Sequence, residues 1–183
     1  MTYNEYKRIF DEILSNPTPD APYNEEAYLS YTKLNKSRML RWEKQMQPDP
    51  SLVSLIKSET EYRKWIIITE PWCGDAAHIV PFLVTLAAQN ENIYCQIQLR
   101  DQEPFLIEKY LTSGTRSIPK LIVRDKNDED IFTWGPRPEG AQKVMESMKA
   151  AGADFEETKI ALQNWYNQDK GASLFRELYG LIK

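Results

Sequence analysis

Histidine and cysteine are scarce in this chain: 183 residues hold one histidine and two cysteines. A structural zinc site needs four such ligands, and these three residues lack recognisable ligand spacing, so no metal and no cofactor is expected. Glycine is also sparse, at seven residues, and none of it forms a phosphate-cradling loop, which removes the usual foothold for nucleotide chemistry. Positive charge is in deficit, with a net charge of −4, so neither nucleic acid nor an anionic membrane is an expected partner. No apolar run approaches the roughly 20 residues of a spanning helix. The start Met1-Thr2-Tyr3-Asn4-Glu5-Tyr6 has no basic region followed by an apolar one, and the expected location is cytoplasmic.

What is present is an ordinary globular composition, 42% hydrophobic and 27% charged. Tyr6, Ile9, Phe10, Ile13 and Leu14 make a helical stripe, which the proline-rich stretch from Asn16 to Pro22 ends. Tyr28, Tyr31, Asn35, Met39, Trp42 and Met46 recur at steps of three or four and predict one face of a helix from about Asn24 to Gln47. Asp49 is placed to cap a short helix with Pro50 in its first position.

Strands and helices alternate from there. Trp65 to Thr69 is a continuous apolar run, expected of a strand buried on both faces. A helix is predicted over Ala76 to Gln89, bent at Pro81. Asn92 to Leu99 alternates as a strand, Pro104 to Leu111 reads as a short helix, and Ile118 to Val123 with Ile131 to Trp134 reads as a hairpin. Helices follow over Val144, Met145 and Met148, after a capping box at Asp154 and Glu157, and beyond Gly171.

The most reactive candidate is Cys73, in Trp72-Cys73-Gly74-Asp75-Ala76, where the first strand runs into a helix. Unpaired N–H groups at a helix start favour a thiolate, whereas Asp75 disfavours one, and Arg116 or Arg137 would favour it. His78, five residues on, is expected to point away from the thiol on a partly exposed face.

Trp72-Cys73-Gly74, Pro81 eight residues after the cysteine, and Ile118-Pro119 at the hairpin start together resemble the thioredoxin superfamily. The whole pentad, with Gly135-Pro136-Arg137-Pro138, further resembles a subgroup of thioredoxin-family proteins with added helices. The resemblance implies a thioredoxin-like α/β fold: a mixed sheet flanked by helices over residues 50–150, with helical extensions over 1–49 and 151–183, the last packed on the domain. It also implies a cis-proline at Pro119 and a groove of Trp72, Gly74, Asp75, Ile118, Pro119, Trp134 and Arg137 around Cys73. In that family the backbone before the cis-proline accepts an extended peptide.

Two departures matter. Ala76 stands where thioredoxins carry the resolving cysteine, and Ile67 stands where they carry a buried acid. Cys95 is no substitute, since four residues of strand at about 3.3 Å each keep it roughly 13 Å below the reactive edge. Three functions remain open. The first is a monothiol redox protein, in which Cys73 forms a mixed disulfide with a protein or low-molecular-weight thiol that an external thiol resolves. The second is a non-catalytic binding module for a protein or peptide. The third, a peroxide-reducing thiol, is weakened by Glu70 standing where a hydroxyl residue is wanted. The terminal helices are candidates for partner choice or for a homodimer contact.

Overall fold

Strand β1 (Arg63–Thr69) is the centre of the molecule, and its run of β-branched residues is buried over Trp65–Thr69 because layers of helix cover both faces of the sheet. The computed structural model describes residues 1–183. Beside β1 lie β2 (Ile93–Leu99), parallel, and β3 (Lys120–Arg124), antiparallel, and β4 (Asp130–Trp134) completes the order β2-β1-β3-β4. The mixed sheet and its helical flanks agree with the expected α/β architecture.

Helix α4 (Gly74–Ala87) leaves the end of β1 after a short turn, and ten of its 14 residues are buried, Pro81 among them. Helix α1 (Tyr3–Ser15) opens with a Thr2–Glu5 capping box, and Tyr6 and Phe10 pack edge to face in the core. Helix α2 (Glu26–Gln45) packs along α4 through Thr32, Asn35, Met39 and Trp42. Helix α3 (Pro50–Lys57) has the anticipated cap, Asp49 accepting from the Leu52 amide at 2.9 Å.

After the hairpin come α5 (Glu139–Ala150), α6 (Phe155–Asp169) and α7 (Ala172–Ile182). The Asp154–Glu157 capping box forms, and α6 lies against α5 while α7 lies against α3. One expected element shrinks: within 104–111 only a single 3-10 turn forms, over Leu106–Lys109, with Ile107 its one buried residue. The chain has no helix long and apolar enough to cross a membrane.

Candidate functional site

The β1–α4 junction places Cys73 at the N-cap of α4, where backbone N–H groups point back toward its sulfur. The thiol is only 6% exposed and donates to the Ile118 carbonyl at 3.4 Å, which ties the motif to the segment leading into β3. Burial pushes the Cys73 thiol up to about 12, and the Asp75 carboxylate pushes the same way. The amides of Ala76 and Asp75 and the Arg137 guanidinium oppose this and lose. The helix start therefore does not yield a resting thiolate, because desolvation outweighs the partial charge of the helix end.

Asp75 and Arg137 meet as an ion pair, Nη2 to Oδ2 at 2.7 Å, with side chains 11% and 17% exposed. The other carboxylate oxygen accepts from the Tyr166 hydroxyl at 2.8 Å. Tyr166 stacks flat on His78, centroids 4.5 Å apart. His78 Nδ1 in turn accepts from Trp42 Nε1 at 2.8 Å. An indole can only donate, so Nδ1 carries no proton; Nε2–H then faces Gln163 Oε1 at 3.2 Å. This fixes a neutral imidazole, and burial, with Arg38 adding to it, lowers its pKa to about 3. His78 is 4% exposed, which corrects the expectation of a partly exposed residue: α2 and α6 close over the face of α4 that carries it.

Two helical additions wall the site. Asn35 on α2 donates to the Pro71 carbonyl at 2.9 Å and accepts from Arg38 Nη1 at 3.0 Å, strapping α2 to the turn before Cys73. Trp72 meets Tyr28 edge to face, with centroids 5.9 Å apart, and Arg100 lies 4.7 Å over its ring. From the other side α6 contributes Phe155, Lys159, Leu162 and Tyr166. The result is a cavity of about 660 Å³ over Cys73, in place of the groove expected from the motif and hairpin alone, because α2 and α6 form two of its walls.

The predicted residues divide. Trp72, Cys73, Gly74, Asp75, Ile118 and Arg137 line this cavity together, and Arg116 joins them while ion-paired to Glu108. Pro119 is buried directly behind; its peptide bond to Ile118 is cis. Trp134 is a correction: it is 7% exposed and turned toward α7, where its Nε1 donates to Glu177 Oε2 at 2.7 Å, so it walls nothing around the thiol. Cys95 pairs with Trp65 in the parallel register while Leu99 pairs with Thr69, so it sits deep along the sheet, and burial holds its thiol near 12 as well. No cluster of His, Cys, Asp and Glu is arranged to hold a metal ion.

Arg38, Gln163 and Tyr166 carry no sequence signal as site residues because they reach it from α2 and α6, helices whose docking the sequence does not encode locally. Asn35 carried the one signal, an amide in the middle of an apolar helix face.

A family model described as thioredoxin matches residues 21–149. Among solved structures the chain is similar to a protein of unknown function from Pseudomonas aeruginosa, at 15% identity over 78% of this chain and 90% of that one, with a TM-score of 0.53. It is also similar to an HIV epitope-scaffold, at 14% identity over 93% of this chain and 99% of that one, with a TM-score of 0.53. At these identities the likeness is one of fold. No curated protein matches.

Proposed function

Since the chain belongs to the thioredoxin family, yet has Ala76 where that family's dithiol cycle needs a second cysteine, we propose that it acts by binding a compact ligand in the cavity over Cys73 rather than by thiol–disulfide exchange. The observation that carries this is the state of the thiol: neutral, buried, and committed as a donor to the Ile118 carbonyl. A nucleophile for disulfides is a thiolate that its substrate can reach. The cavity supports the same reading, since about 660 Å³ of half-open space, lined by aromatic side chains together with a cluster of charged and polar ones, is the size of a small-molecule site. An extended peptide is a poorer fit, because α2 and α6 both line the cavity onto which Ile118 opens.

One observation favours a second reading. The amides of Asp75 and Ala76 are aimed at the sulfur, so displacement of α2 or α6 would leave a thiol suited to monothiol exchange. Incubating the folded protein with oxidised glutathione near neutral pH, followed by intact mass, separates the two. The binding reading expects no adduct on Cys73 and no catalysed reduction of a peptide disulfide. Stoichiometric adduct on Cys73, absent from Cys73→Ser, would replace it with the exchange reading.

A further inference from the structure

The charge lining the cavity is one-sided: five cations, Arg38, Arg100, Arg116, Arg137 and Lys159, face a single carboxylate, Asp75. Four of the five already have an acidic partner, namely Asp101, Glu108, Asp75 and Glu156. Arg38 has none. Its one side-chain bond is to the Asn35 amide oxygen, and its neighbours include a second guanidinium, Arg41. Asp75, the nearest carboxylate, is occupied by Arg137 and Tyr166.

A half-buried guanidinium without a counter-charge is costly, because it has shed water and gained no anion in return. Arg38 stands beside the start of α4, its Nη1 3.8 Å from the position a Cβ on Gly74 would take. The amides of that first turn, two of them aimed at the Cys73 sulfur, add partial positive charge at the same place. The Tyr31 hydroxyl, also in the cavity wall, is shielded from water and has no hydrogen-bond partner, and the same holds for Arg137 Nε. Trp72, Tyr28, Phe155 and Leu162 supply apolar surface on the same cavity.

We propose that the cavity binds a small amphiphilic carboxylate, its acid group between Arg38 and the start of α4 and its aromatic or aliphatic body against Trp72, Tyr28 and Phe155. This rests on the binding reading and names the ligand class for that same site. One unpaired guanidinium matches one negative charge and offers the planar fork that suits a carboxylate, which sets this class above doubly charged phosphates.

The test is calorimetric titration of the full chain with phenylacetate, 4-phenylbutyrate and indole-3-propionate, each beside its corresponding alcohol. At least one acid is expected to bind about tenfold or more tightly than its alcohol, as a charge-assisted pair warrants. Arg38→Met should abolish that preference and Arg38→Lys should keep part of it, while Lys143→Met, in an exposed ion pair on α5, should leave it intact. Added salt should weaken binding of the acid and not of the alcohol, a readout that needs no variant to fold. Equal binding of acid and alcohol overturns the carboxylate assignment and leaves the binding reading standing. Silence from every acid and every alcohol overturns both.

Discussion

At pH 7.5 the folded protein should alkylate at Cys73 about a hundredfold more slowly than an ordinary thiol. An unperturbed cysteine near 8.5 is about one-tenth thiolate there. A thiol pushed up to about 12 is ionised roughly 3,000 times less often. The rarer thiolate is also more nucleophilic, and with a Brønsted slope of about 0.4–0.5 it recovers about fortyfold. The net deficit is about 80-fold before any steric shielding at a residue only 6% exposed. The assay is iodoacetamide labelling followed by intact mass between pH 6.5 and 10, with Cys73→Ser isolating Cys95 and a guanidinium-unfolded sample supplying the intrinsic rate. The rate should still be climbing at pH 10 in the folded chain. Asp75→Asn should accelerate it, because that change removes the second cause of the raised pKa and leaves Arg137 facing the sulfur. A plateau with a midpoint below about 8.5 in the folded wild type would refute the claim that burial outweighs the helix start, and with it the argument against a redox thiol.

Arg137→Met should destabilise the fold by about 2–3 kcal/mol in chemical denaturation, less than the usual loss for a broken buried pair because Asp75 keeps the Tyr166 hydroxyl. Glu70, buried and accepting from the Asp101 amide, has its carboxyl raised to about 7 by burial. Its folded pKa exceeds the unfolded one, so the folded chain holds the extra proton and stability falls as pH rises from about 4.5 to 7. Glu70→Gln should therefore raise the melting temperature at pH 8 more than at pH 4.5. His78 has the opposite sign: depressed to about 3, it makes stability fall as pH drops from about 6.5 toward 3, and His78→Gln should flatten that acid limb. Gly135→Ala should cost about 3 kcal/mol or more, since φ is +113° and the added Cβ would lie 2.4 Å from the Pro119 carbonyl oxygen.

The central fold was legible because it is written in local patterns: β1 as an unbroken apolar run, β2 as an alternation, α4 as an apolar helix beginning at the motif, and two helix starts as Asp49 and Asp154 caps. Pro104 to Leu111 misled because an apolar cluster suggests a helix, yet Phe105, at φ +52°, is left-handed and lets only one 3-10 turn form. Trp72 and Trp134 look alike in sequence, each an aromatic beside a turn, but only the docking of α7, with Glu177, decides that Trp134 is tied away from the thiol. The state of Cys73 was unreadable for the same reason. A helix start and an adjacent acid are local features, and what outweighs the first is burial at a site that α2 and α6 help to wall, helices that lie 28 residues before and 82 after the thiol at their nearest ends. The bonds from Asn35 to Pro71 and from Tyr166 to Asp75 bring both helices against the motif. What separates this chain from an exposed thioredoxin-type thiol therefore lies as much in those two contacts as in the replacement at Ala76. Restoring a cysteine at position 76 alone would leave Cys73 buried at the floor of a site walled by the same two helices.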